Sequence, residues 1–143
     1  MSFGASVVVG GELDSVNRLR GGRLDYPFMP TKTKAYTEGI ILEVPGRIGE
    51  FEITYEPPQD IELTSIAVGA NRYHPTDNWS VYIGEDNTIE DNYICKSIYT
   101  KDLPEGIQLM AVRTVKAGEK ITFVFNNLGG MSKYVWVNYQ GLR

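Results

Sequence analysis

From residue 37 onward, hydrophobic and polar positions alternate in short runs that are separated by turn-forming residues. In the segment 120–126, for example, Ile121, Phe123 and Phe125 lie on one side of an extended chain, as in a strand that covers a core with one face. Helical periodicity of useful length is absent. The pattern predicts eight strands, at residues 37–44, 49–56, 60–69, 78–84, 92–99, 106–115, 119–126 and 133–142.

The connections between these segments are rich in proline, glycine, asparagine and aspartate, which favour chain reversal. Pro45 and Gly46 separate the first two segments, and residues 116–119 are expected to join the sixth and seventh as a tight hairpin. Eight strands separated by turns indicate an all-β fold in which two antiparallel sheets pack as a sandwich. We expect a jelly-roll-like sandwich, because a jelly roll has eight strands. The connectivity of the strands does not follow from this pattern.

The first 36 residues differ from the rest of the chain. They are rich in glycine, and their apolar residues follow no sustained period. This part has five basic and three acidic residues, a net charge of +2, so the remainder carries −6 of the total of −4. We therefore predict an extended N-terminal arm at 1–36 before a sandwich domain at 37–143; the alternative is a leader that packs back on its own domain. The residues expected to bind a partner are Phe3, Val7, Val8, Val9, Leu19, Leu24, Tyr26, Phe28 and Met29.

Composition narrows the class of protein. One cysteine, Cys95, excludes an intrachain disulfide, and we expect it to be a small apolar residue near a strand. An acidic chain without a basic run is not expected to bind nucleic acid. No apolar stretch approaches the roughly 18 residues of a membrane helix, and no signal peptide is evident, so we expect synthesis in a cytoplasm and no membrane partner.

The residues do not form a recognisable catalytic pattern. His74 is the only histidine; it is followed by a proline and is expected in a surface loop. The sequence has no Gly-x-Ser-x-Gly segment that would supply a serine nucleophile for this histidine. We expect no enzyme and no cofactor; a small hydrolase that uses two of the acidic residues within 77–105 is the remaining catalytic alternative. Residues 85–92 are rich in oxygen ligands and are expected to form a solvated acidic loop. The candidates for a calcium site in this loop are Asp86, Asn87, Asp91 and Asn92.

Aromatic residues suggest one further kind of site. Tyr73, Trp79 and Tyr82 lie near predicted strand ends, where they are candidates for a glycan-binding platform, since tyrosine and tryptophan tolerate half-exposed positions. Core packing is the preferred alternative for these residues. Both faces of residues 133–139 are bulky, which suits either an inner strand covered on both sides or a strand with an aromatic outer face. Trp136 lies in this dense apolar segment, and we expect it in the core.

The stretch from Ile61 to Arg143 resembles small jelly-roll structural modules of tailed bacteriophages and prophages. The segments that carry this resemblance are 61–68, 77–84, 98–106, 115–121 and 129–139. The resemblance implies a virion protein, either a tail, baseplate or neck component or a capsid decoration protein. We expect its partners to be other virion subunits, and we expect it to form a homo-oligomer within the larger assembly. No catalytic residues come with it. A carbohydrate-binding module that attaches to cell-surface glycans is the alternative function.

Overall fold

The computed structural model describes residues 29–85, 89–101 and 103–143, which form eight β-strands and one short 3₁₀ helix, Glu90–Asn92. Each of the eight predicted strands is confirmed, with boundaries that differ by at most two residues. No helix among these residues is long and apolar enough to cross a membrane. The strands are β1 Ala35–Val44, β2 Gly49–Tyr55, β3 Ile61–Ala70, β4 Asn78–Ile83, β5 Tyr93–Tyr99, β6 Glu105–Val115, β7 Ile121–Asn127 and β8 Lys133–Leu142.

The strands form two antiparallel sheets of four. Sheet A has the order β1-β8-β3-β6, and sheet B has the order β2-β7-β4-β5. The first strand pairs with the last, the second with the seventh, the third with the sixth and the fourth with the fifth. The chain is thus one long hairpin rolled into two layers, which is the jelly-roll arrangement. The predicted sandwich is confirmed.

The connection at 116–119 differs from the prediction. It does not close a hairpin, because β6 pairs with β3 in sheet A whereas β7 lies between β2 and β4 in sheet B. The segment therefore carries the chain from one sheet to the other. Gly118 has a φ of 81° at this turn, a left-handed conformation that favours glycine.

The core lies between the two sheets and is built from the inward side of each strand. As predicted, Ile121, Phe123 and Phe125 are fully buried there. Trp79 packs against Phe123 with 5.8 Å between ring centroids. Its indole N–H donates to the Glu105 carboxylate across the sandwich at 3.2 Å, which satisfies the one polar group of a buried ring.

The prediction that Trp136 is a core residue is wrong. Along β8, Val135, Val137 and Tyr139 point inward and are fully buried, so the alternate positions point outward. Trp136 therefore lies on the outer face of sheet A, and 38% of its surface is exposed. The aromatic outer face of β8, rather than a strand buried on both sides, explains why both faces of this segment are bulky.

Candidate functional site

The chain that enters β1 is held by a buried carboxylate. Glu62 of β3 is only 3% exposed, although its alternation with Ile61 and Leu63 turns it to the outer face of sheet A. The backbone N–H of Thr31 donates to Oε1 at 2.9 Å, its hydroxyl donates to Oε2 at 2.6 Å, and the N–H of Lys32 donates to Oε1 at 2.8 Å. We call these three residues, Thr31, Lys32 and Glu62, the arm anchor.

Electrostatics support this contact. Burial opposes the charge on Glu62, but the hydrogen bonds from Thr31 and Lys32, together with the nearby Lys32 ammonium, lower the pKa of the carboxyl below its ordinary 4.5. The Glu62 carboxyl is therefore ionised at neutral pH. Hydrogen bonds to a charged acceptor contribute about 1.5–3 kcal/mol each, so residues 31 and 32 are held at a defined place on the sandwich.

The outer face of sheet A also carries an exposed aromatic ridge, formed by Tyr134 and Trp136 of β8. Tyr134 is 46% exposed, and Ile41 of β1, which pairs directly with Trp136, is 53% exposed. Apart from Ile41, the outward residues next to Tyr134 and Trp136 are small or polar; Glu43 of β1, for example, pairs with Tyr134. Gly69 of β3 lies opposite Trp136 on the other side.

Two depressions flank this ridge. The first has a volume of about 400 Å³, and its lining includes Glu43, Asn71, Arg72 and Tyr134. The second has a volume of about 350 Å³, and its lining includes Gly69, Gly106, Trp136 and Asn138. Both fall within the range of roughly 300–1,000 Å³ that is typical of small-molecule sites.

A buried ion pair lies at one end of the sandwich. Asp77 and Lys133 are both fully buried, with 2.6 Å between Oδ2 and Nζ. Oδ1 of Asp77 accepts hydrogen bonds from the backbone N–H groups of Leu128 and Gly129, each at 2.8 Å, and Oδ2 also accepts from the N–H of His74. Both oxygens accept hydrogen bonds from the β3–β4 connection or from the β7–β8 connection and the start of β8, so the carboxylate holds these two connections together.

Only one member of the predicted partner-binding set lies within the described residues. Met29 is described and is 75% exposed, two residues before the arm anchor. The other predicted arm residues lie outside the described residues: Phe3, Val7, Val8, Val9, Leu19, Leu24, Tyr26 and Phe28.

The polar candidates are only partly described. Asp86 and Asn87 lie outside the described residues, whereas Asp91 and Asn92 belong to the 3₁₀ helix. Within 29–85, 89–101 and 103–143, no three histidine, cysteine, aspartate or glutamate side chains are grouped so that they could hold a metal ion. His74 is an exposed loop residue, as predicted.

Tyr73, Trp79 and Tyr82 do not form the glycan-binding platform considered above. Trp79 points into the core with no exposed surface, so core packing is confirmed for this residue. Tyr82 lies on the opposite face of β4, is also buried and packs against Tyr93 at 5.5 Å between centroids. Tyr73 is half-buried and donates its hydroxyl to the carbonyl of Lys101 at 3.3 Å. The aromatic residues that are exposed together, Tyr134 and Trp136, were missed because both faces of β8 are bulky.

Fold and anchor together define a jelly-roll domain whose N-terminal approach is fastened to its own sheet A. The family described as a domain of unknown function, DUF8551, matches residues 32–143, and the chain belongs to this family. No curated protein matches the chain significantly.

Two solved structures match the chain at low similarity. One is a chain of the acidic stable capsid structure of Helicobacter pylori bacteriophage KHP30, with 13% identity, coverage of 78% of this chain and 90% of that chain, and a TM-score of 0.46. The other is Drosophila NLP-core, whose structure concerns pentamer formation and histone binding, with 12% identity, coverage of 76% and 99%, and a TM-score of 0.29. Neither likeness assigns a function to the chain.

Proposed function

We propose that this protein is a non-enzymatic structural protein of a bacteriophage virion, which docks on neighbouring subunits through its N-terminal arm and displays the jelly-roll sandwich. A location in the capsid as a decoration protein and a location in the tail or baseplate are both compatible with this role. The proposal rests on the arm anchor, supported by the resemblance of residues 61–143 to phage jelly-roll modules.

The arm anchor supports docking because an arm transmits force only if its base is fixed to the domain it carries. Glu62 fixes residues 31 and 32, and the backbone of Lys34 continues the pairing of β1 with β8 through Arg143, with an N–H to carbonyl distance of 2.8 Å. A force applied at residue 30 is therefore transmitted to two strands of sheet A. The 28 residues that precede Met29 contain most of the predicted partner-binding residues and could span up to roughly 90 Å when extended.

The test compares two variants for incorporation into the particle that contains the protein. Deletion of residues 2–28 removes the predicted docking residues but keeps the arm anchor and every strand. Glu62→Gln keeps the arm but weakens its base, and Glu43→Gln, an exposed glutamate on the same face, is the matched control.

We expect the deletion to reduce occupancy at least tenfold, Glu62→Gln to reduce it less, and Glu43→Gln to leave it unchanged. Circular dichroism and thermal unfolding establish that each variant retains the sandwich. Normal occupancy of the folded deletion variant would show that the arm is not the docking element.

A further inference from the structure

We propose that the outer face of sheet A binds an uncharged oligosaccharide chain across the aromatic ridge of Tyr134 and Trp136. This site is separate from the arm anchor and from the three aromatic residues that the sequence suggests. It does not depend on arm docking, since a displayed sandwich could bind a glycan wherever its arm is attached.

The ridge has the geometry of a stacking platform. Tyr134 and Trp136 are alternate residues of β8, so they project from the same face about 6.6–6.8 Å apart along the strand. Both rings are well exposed in a chain whose other tryptophan is fully buried. Rings of this kind combine a large apolar surface with a polar edge, and they suit the C–H faces and hydroxyl groups of sugar rings.

Hydrogen-bonding groups are held in place beside the ridge. Near Tyr134, the Arg72 guanidinium is fixed by Ser132 through bonds of 2.6 and 3.0 Å, and the Asn71 side chain accepts from the backbone N–H of Tyr134 at 3.0 Å. Beyond Trp136, the Asn138 amide lies over Gly39, where an added Cβ would be only 2.5 Å from Oδ1. Polar groups that are already positioned lose little entropy when a ligand binds.

The composition of this face favours an uncharged ligand. Charged residues make up 22% of the chain, yet three successive outward rows across sheet A contain none. Their polar members are amides and hydroxyls, which match sugar hydroxyls in both donor and acceptor roles. An anionic ligand would require cationic partners that these rows lack, and at the Tyr134 end of the ridge the Arg72 guanidinium shares a depression with the Glu43 carboxylate, so the two charges offset each other. The rows comprise Ile41, Trp136 and Gly69; Gly39, Asn138, Ala67 and Gly106; and Thr37, Gln140, Ser65 and Gln108.

The test titrates the full-length protein with four neutral linear hexasaccharides, an α-1,4-glucan, a β-1,4-glucan, a β-1,3-glucan and a β-1,4-linked N-acetylglucosamine chain. A sulfated heparin hexasaccharide is the charged comparison. We expect at least one neutral chain to change tryptophan fluorescence and to bind with a Kd of about 1 mM or tighter, the range of a shallow site. The signal arises from Trp136, because Trp79 is fully buried.

Calorimetry on variants locates the site. We expect Trp136→Ala to weaken binding of that chain at least tenfold, Trp136→Phe to retain most of it, and Tyr99→Ala to leave it unchanged. Tyr99 is an aromatic residue that is more exposed than Trp136, at 58% against 38%, but it lies on β5 of sheet B.

Three results would overturn the proposal. The first is that no neutral chain binds at about 5 mM, a concentration at which a Kd of about 1 mM would fill most of the sites. The second is binding that Trp136→Ala leaves intact, and the third is tighter binding of the sulfated chain than of the neutral chains. Loss of self-association in Trp136→Ala, without glycan binding by the wild-type protein, would instead identify the face as a protein interface.

Discussion

Two lysine–carboxylate ion pairs of this protein differ in their exposure to solvent, since one is buried and the other is exposed. Asp77 and Lys133 are fully buried with 2.6 Å between charged atoms, whereas Glu85 and Lys120 are 82% and 41% exposed at 3.9 Å. We expect Asp77→Asn to lower the free energy of unfolding by about 3–5 kcal/mol, since it leaves a buried charge uncompensated. The matched change Glu85→Gln should cost about 0–1 kcal/mol, because water already screens that pair.

The larger value follows from the contacts of the two Asp77 oxygens. An asparagine can keep an oxygen at Oδ1, where the N–H groups of Leu128 and Gly129 donate. Its NH₂ group then replaces Oδ2, which accepts from the Lys133 ammonium and the His74 N–H. Three hydrogen-bond donors would then face one another: the asparagine NH₂ group, the Lys133 ammonium and the His74 N–H. Among the described residues, the ammonium would retain only the negative face of the Phe125 ring, 5.5 Å away, as a favourable partner. A domain of this size has about 5–15 kcal/mol of total stability, so the loss is large.

Urea unfolding of the full-length variants, followed by tryptophan fluorescence and circular dichroism, measures both effects. The double variant Asp77→Asn with Lys133→Met removes the stranded charge, and we expect it to be more stable than Asp77→Asn alone. If Asp77→Asn costs no more than Glu85→Gln, or if the second change restores nothing, the ion pair does not hold these loops together.

Four further predictions follow from individual groups. The pKa of Glu62 and of Asp77 is lowered in the folded protein, so the stability that each carboxylate contributes is complete above its ordinary pKa of 4.5 or 3.8 and is lost as pH falls through its folded pKa. The urea concentration at the unfolding midpoint should therefore be constant near neutral pH and should decrease when the pH is lowered below about 4. Glu62→Gln should speed amide exchange at Thr31 without changing exchange in β8, and equal rates at Thr31 would refute the anchor. The Tyr139 hydroxyl is buried without a hydrogen-bond partner among the described residues, so Tyr139→Phe should leave stability unchanged or raise it by up to about 1 kcal/mol, whereas a loss above about 2 kcal/mol would reveal a partner. Burial raises the pKa of Cys95 to about 12, so a thiol reagent at pH 8 should react only after unfolding; rapid labelling of the native protein would contradict this.

The strands were predictable because two local signals coincide at each of them. Alternation identifies the extended segments, and proline, glycine and asparagine mark their ends, so the boundaries agree with the structure to within two residues. The pairing of strands was not predictable in this way. Residues 116–119 look like a hairpin turn, but nothing local tells that β6 and β7 belong to different sheets.

The orientation of β8 shows why the candidate ligand site escaped prediction. Residues 133–139 have bulky side chains on both faces, so alternation separates two sets without telling which one is buried. The inward set is fixed by the neighbouring strands, because Val135 and Val137 pair with the inward Leu42 and Ile40 of β1. Trp136 is outward for that reason alone.

Glu62 presents the opposite case, an apparently ordinary surface glutamate that is buried. It alternates with two core residues of β3, as a solvated outward side chain would. What covers it is a segment about 30 residues earlier, and the sequence near Glu62 contains no sign of that segment. A charge buried in this way would cost several kcal/mol without its hydrogen bonds, so its presence at the base of the arm implies that residues 31 and 32 remain in place whenever the domain is folded. In the docking that we propose, a partner bound to the segment before Thr31 would therefore also position the outer face of sheet A.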